Sequence, residues 1–382
     1  MTQQVYITNI AAFFPNVPVS NDAMESVLGQ IGKRPSRARK LILRSNRIKS
    51  RYYAIDPQTG KATHTNAQLT AEAIRKLGEQ GCDINNIEVL ACGTTLPDQL
   101  MPNHALMVHG ELAIPPCEVI ATAGICLSGM MSLKYGYLSI RSGLSENVVT
   151  TGSENVSSIM RDHNFIEEIG SHVEQTAKPP EIAFEKDFLR WMLSDGAGAV
   201  WMSDTPNCDG NSLQIDWIFQ KSYAGELDTC MYAGAQKMED DSLQGWRDYL
   251  PQEWLKESIF SIKQDIKLLN EKIIEYTLTK PLQELVEKGK VDAKKIDWYL
   301  PHYSSGFFRD KVYTGMQVAG CDISQERWFT NLSSKGNTGS ASIYIILEEL
   351  FNSGSLKKGQ TLLCFIPESG RFSTAFMHLT VV

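Results

Sequence analysis

The sequence predicts an α/β fold built from two related halves. Short apolar or β-branched segments of strand length alternate with helical patterns along the first half of the chain. The same alternation returns after residue 263, which suggests an internal duplication. Alternating strands and helices are typical of layered α/β proteins, in which helices cover the faces of a sheet.

Each predicted strand is an apolar or β-branched run. In the N-terminal half these runs are VYITNI, IEVLAC, EVIAT, NVVTT and AGAVWM, at 5–10, 87–92, 118–122, 147–151 and 197–202. Between the first two, the apolar spacing in AQLTAEAIRKLGEQG predicts a helix. In the C-terminal half we predict a helix at about 264–289, a strand at 296–300, a helix at about 338–353, and strands at 361–366 and 374–382.

We predict three regions from this pattern. Residues 1–205 form the N-terminal half, with an insertion at about 157–190. Residues 206–262 form an insertion or cap, because they are richer in Asp, Gly, Gln and Trp and lack clear strand periodicity after about 220. Residues 263–382 form the C-terminal half. The insertions could cover a binding site or make an oligomer contact.

The composition argues against several classes of function. The 382 residues are 42% hydrophobic and carry a formal net charge of −7, so we expect no general nucleic-acid binding. No window resembles a membrane span, and the first residues lack the features of a signal peptide. The cysteines are scattered singly, without metal-ligand spacing. We therefore expect a cytoplasmic protein with reduced thiols and no metal.

One basic segment runs against the acidic balance. Residues 32–51, GKRPSRARKLILRSNRIKSR, contain many Lys and Arg residues and no acidic residue. Two readings remain open at this stage: a solvated helix face, or a docking site for a phosphorylated ligand or an acidic partner.

Cys126 is the first candidate for chemistry. It lies in ATAGICLSGM, after a predicted strand and just before a predicted helix, between Gly124 and Gly129. A thiol at a helix N-terminus is expected to favour the thiolate, because the helix dipole and free N–H groups stabilise negative charge. The alternative is a small buried core residue.

Two polar residues of the second half complete a candidate set. His302 follows a predicted strand in LPHYSS, and Asn337 lies in the turn GNTGSAS before a predicted helix. Each alone is an ordinary polar or loop residue. Together with Cys126, at strand and helix junctions of two related halves, they form a cysteine, histidine and asparagine set.

The order and spacing of ATAGICLSGM, LSDGAGAVWM, LPHYSS and GNTGSAS resemble the motifs of type III β-ketoacyl carrier-protein synthases, which have the thiolase-like fold. The resemblance runs from end to end: ITNIAAFFPNVPVSNDAME resembles the family's opening strand, RSNRIKSRYYA its basic segment, and EVLACGTTLPDQLMPNHA its second strand and dimer-contact segment. It implies a five-layered αβαβα arrangement and a homodimer.

The resemblance also implies roles for individual residues. Cys126 would accept an acyl group from a thioester, and His302 and Asn337 would bind the carbonyl of the second thioester. Backbone N–H groups at Cys126 and near Gly370 would hold the other oxyanion. Met101 would gate the acyl pocket across the dimer. Coenzyme A or an acyl carrier protein would dock on the basic segment, at Arg37, Arg44 and Arg47. No cofactor is implied beyond the phosphopantetheine thioester substrates.

The sequence departs from the family in ways that bear on the substrate. Tyr303, Ser304 and Ser305 stand where the common synthase has Gln, Ala and Asn, and the family's glycine-rich C-terminal turn is PESGRF, with Gly370 alone. PESGRF, HYSS and CMYAGA resemble a branch that joins a β-ketoacyl thioester to a second acyl chain and closes a cyclohexanedione ring, the precursor of dialkylresorcinols. The alternatives are an ordinary fatty-acid-initiating synthase III, a thioesterase or acyltransferase, and a non-catalytic subunit.

Overall fold

The computed structural model describes residues 3–31, 36, 39–169 and 184–382. Within these ranges, nine strands form one central sheet in the order β13-β14-β15-β8-β1-β7-β6-β4-β5. Their bounds are β1 Tyr6–Phe13, β4 Val89–Thr94, β5 Glu118–Ala123, β6 Asn147–Glu154, β7 Gly196–Ser203, β8 Leu213–Ser222, β13 Trp298–Pro301, β14 Thr361–Glu368 and β15 Ser373–Val381. Short strands outside this sheet are β2 Val19–Ser20, β3 Ser50–Arg51, β9 Met231–Tyr232, β10 Ala235–Lys237, β11 Leu243–Gly245 and β12 Lys263–Gln264.

The central sheet consists of two half-sheets with matching topology. In the N-terminal half β4 and β6 pair in parallel, and β6, β7 and β1 pair antiparallel in turn. In the C-terminal half β13 and β14 pair in parallel, and β14, β15 and β8 pair antiparallel in turn. The first half adds an edge strand, β5, that pairs in parallel with β4. The matching order supports an internal duplication.

The helices form layers around and between the half-sheets. They are α1 Met24–Leu28, α2 Arg39–Asn46, α3 Asn66–Glu79, α4 His104–Leu112, α5 Ser128–Arg141, α6 Phe184–Arg190, α7 Pro251–Lys256, α8 Ile266–Ile274, α9 Lys280–Glu287, α10 Arg309–Val318, α11 Leu332–Lys335 and α12 Ser342–Phe351. α12 lies between the half-sheets, because it contacts β1 and β7 of one and β13 of the other. α5 packs beside it on β4 and β6. α3 and α4 cover the outer face of the first half-sheet, and a π-helical turn, Glu275–Thr279, between α8 and α9 covers that of the second.

Two close contacts explain why the middle layer can form. A Cβ on Gly129 of α5 would lie 2.4 Å from the Ser340 carbonyl oxygen at the start of α12, so only glycine allows this approach. The Tyr344 hydroxyl of α12 then donates to the Gly129 carbonyl at 2.8 Å, and the Tyr344 side chain is fully buried. The helices that follow Cys126 and Asn337 are thus held in contact with each other.

The observed elements agree with the sequence expectations, except around residue 213. The predicted strands and helices of both halves correspond to β1, β4 to β7, β13 to β15, α3, α8 with α9, and α12. The region 206–262, expected to be an insertion, contains β8, which pairs with β15 and β1 inside the central sheet. The C-terminal half therefore begins before residue 263. The sequence prediction missed β8 because residues 206–262 were assigned by their composition, although Leu213, Ile215 and Trp217 alternate with polar residues as in a half-buried strand.

The segments expected to form a lid lie close together. α6, from the insertion at about 157–190, contacts β12 at the end of the region 206–262. A buried ion pair between Lys186 and Glu168, 2.6 Å between Nζ and Oε1, holds the described parts of the first insertion together. Among the described residues no helix is long and apolar enough to cross a membrane. No group of three or more His, Cys, Asp or Glu side chains in the same ranges could hold a metal ion.

Candidate active site

Cys126 lies in the turn between the edge strand β5 and helix α5, as the sequence predicts. It is half-buried and has no disulfide partner. The turn is fixed by a carboxylate from the other half of the chain: Oε2 of Glu368 accepts hydrogen bonds from the backbone N–H of Ile125, at 2.9 Å, and of Leu127, at 3.0 Å. Glu368 is the last residue of β14 and is only 7% exposed. The second half therefore positions the nucleophile candidate of the first.

The electrostatics of the thiol differ from the sequence expectation. Burial raises the pKa of Cys126 well above its ordinary value, and the carboxylates of Glu368 and Glu154 raise this pKa further. The expectation that the helix N-terminus favours the thiolate is wrong for the resting site, because Glu368 occupies the amides on either side of Cys126 and brings negative charge to the turn. A general base must therefore help to remove the proton from Cys126.

His302 follows β13 directly and is held by its backbone. Its N–H donates to the Phe365 carbonyl of β14 at 2.8 Å, which continues the parallel pairing of β13 and β14 beyond the end of β13. The side chain is 3% exposed. Burial lowers the pKa of His302 to about 4, so its imidazole is neutral at neutral pH. A neutral imidazole can donate one N–H to a developing oxyanion.

The orientation of Asn337 is fixed by its own turn. Its Oδ1 accepts a hydrogen bond from the Gly339 N–H at 3.0 Å, so its amide NH₂ is the group left to donate. Its backbone N–H donates to the Met192 carbonyl at 3.0 Å, and its carbonyl accepts from the Ser194 N–H at 2.9 Å. These bonds tie the turn to the segment before β7.

Glu154, the last residue of β6, is a site residue that the sequence analysis missed. Its Oε1 accepts hydrogen bonds from the Thr95 hydroxyl and from the Ser340 N–H, the latter at 2.9 Å. The side chain is 1% exposed, and burial raises the pKa of Glu154 to about 8. The available signal was an acidic residue at the end of a buried strand, NVVTTGSE, and TLLCFIPE carries the same signal for Glu368.

Cys126 lines two adjacent cavities. The inner cavity measures about 460 Å³, including space that is open to solvent, and is lined by Cys126, Asn337 and Glu154 together with apolar side chains. The histidine cavity holds about 450 Å³ and is lined by Cys126 and His302. Ser304 and Ser369 line both. Asn337 and His302 thus each share a cavity with Cys126. The apolar lining of the inner cavity is Ile125, Val156, Leu189, Met192, Leu193, Met231 and Ile262.

A third, outer cavity of about 460 Å³ leads toward the basic segment. It shares Leu269 and Phe308 with the histidine cavity and is also lined by Ile42, Ser45 and Asn46 of α2. Ser45 and Phe307 of its lining are exposed, so this cavity opens at the surface. The three cavities form a row from α2, past His302, to Cys126 and beyond.

The basic segment divides into buried and exposed residues. Arg51 is fully buried, where its guanidinium donates to Asn21 Oδ1 at 2.8 Å, and Arg39 pairs with Glu25 at 2.5 Å. Arg44 and Arg47 are exposed, on α2 and just after it. Arg47 packs against Gly306, next to Phe307 of the outer cavity. Arg37 lies outside the described residues.

The two remaining candidates are Gly370, which lies beside the Cys126 turn, and Met101, which lies at the surface. A Cβ on Gly370 would lie 3.0 Å from Ile125 Cδ1, so Gly370 lies against the nucleophile turn. That the Gly370 N–H donates to an oxyanion stays a prediction. Met101 is 83% exposed and lines none of the three cavities of its own chain. That Met101 gates the acyl pocket across a dimer stays a prediction.

The three family departures after His302 have separate roles. Only Ser304 reaches both cavities beside Cys126. Tyr303 lines the histidine cavity, and its hydroxyl accepts a hydrogen bond from Arg309 at 3.1 Å. Ser305 lines the outer cavity, and its Oγ accepts from the Phe307 N–H at 3.3 Å. The change in this motif therefore alters the walls of all three cavities.

Comparisons of the sequence agree with the resemblance. Residues 286–367 match the family described as 3-Oxoacyl-[acyl-carrier-protein (ACP)] synthase III C terminal. The β-ketoacyl-[acyl-carrier-protein] synthase III of Clostridium perfringens is 27% identical over 319 residues, which is 83% of each chain. That of a Sulfurovum species is 23% identical over 369 residues, covering 95% of this chain and 92% of the relative.

Solved structures share the fold at low sequence identity. A tetronic acid condensing enzyme, AbyA1, matches with a TM-score of 0.73 at 17% identity, covering 98% of this chain and 99% of that one. Aquifex aeolicus 3-oxoacyl-[acyl-carrier-protein] synthase III matches with a TM-score of 0.70 at 17% identity, over the same shares. Xanthomonas campestris OleA, solved with lauric acid and lauroyl-CoA, matches over 100% of both chains with a TM-score of 0.71 at 17% identity.

The matching half-sheets and the cysteine, histidine and asparagine motifs agree with these likenesses over most of the chain. The chain is therefore similar to the β-ketoacyl-[acyl-carrier-protein] synthases III over most of its length and shares the fold of their solved structures, as expected of a synthase III-like condensing enzyme.

Proposed function

We propose that Cys126 accepts an acyl group from a thioester, and that the acyl chain is then joined to a second acyl or β-ketoacyl thioester by a Claisen-type condensation. The observation that carries the proposal is that Cys126 lines both the inner and the histidine cavity. An acyl chain bound on one side of the sulfur and a donor thioester on the other side would meet at the acyl carbonyl.

The polar groups of the second half suit the condensation step. An enolate needs hydrogen-bond donors for its developing negative charge, and preorganised donors in a buried site supply this most effectively. The neutral imidazole of His302 and the amide NH₂ of Asn337 are such donors. Neither group carries a charge that would have to be desolvated when the substrate binds.

The row of cavities offers a route for a phosphopantetheine arm. We propose that an acyl carrier protein or coenzyme A docks beside α2, where Arg44 and Arg47 are exposed next to the outer cavity. Guanidinium groups bind phosphate and acidic surfaces well. The named relatives act with an acyl carrier protein according to their names, and the OleA structure contains lauroyl-CoA.

We propose that the inner cavity binds the acyl chain. Seven apolar side chains line it, which is the lining that a hydrocarbon chain requires. We propose, as the finer assignment, that the second substrate is a β-ketoacyl thioester and that the product closes to a cyclohexanedione ring. The likeness to a tetronic acid condensing enzyme supports a role in condensation, and the PESGRF and HYSS motifs support the branch.

A homodimer would complete the first half-sheet. β5 is an edge strand, its residues are exposed or half-buried, and it leads directly into the Cys126 turn. Leu100 and Met101 are also exposed, at 75% and 83%. Edge strands and exposed apolar side chains are commonly covered by a partner. We propose that a second copy pairs along β5 and brings its Met101 to the acyl cavity.

The first experiment tests acyl transfer. Wild-type protein and the Cys126→Ala variant are incubated with a panel of acyl and β-ketoacyl thioesters, carried by coenzyme A or by an acyl carrier protein. Intact mass spectrometry should show one acyl group on the wild type and none on the variant. Cys208, which is exposed, provides a matched control, because Cys208→Ala should still be acylated. Acylation of Cys126→Ala to the wild-type extent would contradict the proposal.

The second experiment separates the possible products. The acylated enzyme receives a second thioester, and the products are analysed by mass spectrometry and NMR. A cyclised product supports the dialkylresorcinol branch, and a linear β-ketoacyl thioester formed from malonyl donor supports an ordinary initiating synthase. Free acid alone, with no lengthened product, would support a thioesterase and contradict condensation.

A further inference from the structure

Glu154 is a buried ionisable group that the chemistry described so far does not use. It lines the inner cavity together with Cys126 and Asn337, although it belongs to the N-terminal half and Asn337 to the other. A Cβ on Gly339 would lie 2.7 Å from Glu154 Oε1, so this carboxyl group is packed on the turn that presents Asn337. It therefore lies against the turn of Asn337, one of the two groups proposed to hold the donor thioester, and lines the inner cavity but not the histidine cavity.

The two oxygen atoms of Glu154 have different surroundings. Oε1 accepts from the Thr95 hydroxyl and the Ser340 N–H. Oε2 is buried and has no hydrogen-bond partner among the described residues. A buried carboxyl oxygen without a partner costs free energy, unless a ligand supplies the missing contact. Oε1 is thus anchored by protein, and Oε2 is the atom left for a substrate.

The charges around the site disfavour a donor that carries its own carboxylate. No Lys or Arg side chain is among the residues that line the inner and histidine cavities in the described part of the chain. Glu154 and Glu368 instead place two carboxyl groups near the thiol. A malonyl-type carboxylate would be desolvated there without a cation to pair with. A donor without a carboxylate must lose a proton from its α-carbon instead.

We propose that Glu154 accepts the α-proton of a donor thioester that carries no carboxylate, so that the condensation proceeds without loss of CO₂. The inference rests on the proposed function and names its donor class, an acyl or β-ketoacyl thioester. Glu154 is then a catalytic residue, with Oε2 as the proton acceptor.

The proposed step balances without a co-reactant. Oε2 takes the α-proton, and the electrons of the C–H bond move to the thioester oxygen, held by His302 and Asn337. The α-carbon of this enolate forms a C–C bond with the acyl carbonyl on Cys126. The tetrahedral intermediate collapses, the C–S bond breaks, and the thiolate leaves. The sulfur takes the proton from Glu154, which restores both groups to their starting states.

The test compares two donors on pre-acylated enzyme. Wild type and Glu154→Gln are first acylated at Cys126 and checked by intact mass, and single-turnover condensation is then measured with a β-ketoacyl thioester and with a malonyl thioester on the same carrier. We expect Glu154→Gln to lose about 10²-fold or more with the β-ketoacyl donor, because general base catalysis contributes on that scale. With malonyl donor Glu154→Gln should be no slower than the wild type, since decarboxylation needs no base and the variant removes a carboxyl group that would repel the donor.

The pH profile provides a second readout that a merely structural role would not move. Wild-type single-turnover condensation with the β-ketoacyl donor should increase with pH around the Glu154 pKa of about 8, and Glu154→Gln should lack this dependence. Thr95→Val should move the midpoint to higher pH, because the Thr95 hydrogen bond lowers the pKa of Glu154. Glu348→Gln is the matched control, since burial raises the pKa of Glu348 too but it lines none of the three cavities.

The outcomes distinguish the inference from the proposed function. If the wild type is never acylated, the proposed function fails and this inference fails with it. If acylation is normal but Glu154→Gln condenses the β-ketoacyl donor at the wild-type rate, only the inference is overturned. Equal losses with both donors would likewise contradict it, because a structural defect affects every donor.

Discussion

Strands β6 and β14 occupy equivalent positions in the two half-sheets, and each is eight residues long and ends in a glutamate. Each glutamate crosses to the opposite half. Glu154 of β6 accepts from the Ser340 N–H in the turn before α12, and Glu368 of β14 accepts from the Ile125 and Leu127 N–H groups in the turn before α5. The duplicated scaffold thus places two carboxyl groups in reciprocal positions.

The difference between the two glutamates lies in how their hydrogen bonds are used. One oxygen of Glu368 holds two backbone amides, so this residue fixes the position of Cys126. Glu154 anchors one oxygen, and its other oxygen has no hydrogen-bond partner in the described part of the chain. The residue lines the inner cavity. A duplication can therefore supply one positioning group and one reactive group from the same structural position.

The largest expected effect is on the rate of condensation, and it tests whether the two halves of the chain serve different steps. His302→Ala should leave acylation of Cys126 intact but slow condensation by about 10²–10³-fold, because one donor to the enolate oxygen is lost. Intact mass measures the first step and product formation the second. Equal loss of both steps would show that the second half does not act on the donor alone.

A large effect on stability is expected at Glu368. Glu368→Ala should lower the free energy of unfolding by about 2–4 kcal/mol, because two backbone N–H groups at the Cys126 turn lose their acceptor. Glu368→Gln keeps an acceptor oxygen and should cost much less. Urea unfolding measures both variants. A similar loss in the two variants would contradict the positioning role.

The same Gln variant tests the charge of Glu368. Because its carboxylate raises the pKa of Cys126, Glu368→Gln should lower that pKa and speed alkylation of Cys126 at neutral pH. The rate is followed on the Cys126 peptide by mass spectrometry, with the exposed Cys208 as an internal reference. An unchanged pH profile would mean that Glu368 acts only through its hydrogen bonds.

Glu154 should make stability depend on pH. Its folded pKa of about 8 lies above the ordinary value of 4.5, so the native state binds the proton more tightly. The contribution to stability is fully present below the ordinary value and is lost as pH rises through about 8, with a slope of up to about 1.4 kcal/mol per pH unit. Unfolding free energies of wild type and Glu154→Gln should diverge over this range. The difference between them isolates Glu154 from Asp195, whose pKa burial raises to about 6.

The smallest expected effect is on KM, at the two exposed arginines on and just after α2. Arg44→Glu with Arg47→Glu should raise KM for the carrier-bound substrate several-fold with little change in kcat, and added salt should reduce the effect. Lys358→Glu is the matched control, since Lys358 is exposed close to the start of β14, whereas Glu368 ends that strand at the site. An unchanged KM would identify the two arginines as solvated residues with no docking role.

The sequence by itself determined the fold class, nearly all strands of both halves and the cysteine, histidine and asparagine set. These features depend on local patterns: apolar runs of strand length, helical spacing, and polar residues at the turns between elements. β8 was missed because the composition of residues 206–262 outweighed the alternation of apolar and polar residues in LQIDW, and its place between the two half-sheets depends on its partners β1 and β15.

Only the tertiary structure decided the protonation of the site. A cysteine before a helix predicts a thiolate when the helix is considered alone, but Glu368 lies 242 positions further along the chain than Cys126 and still occupies the turn. The unpartnered oxygen of Glu154 and the neutral His302 likewise follow from burial, which depends on packing between the two halves. Local sequence fixes which groups are present, whereas solvent exclusion and charges from distant segments fix which of them carry a proton.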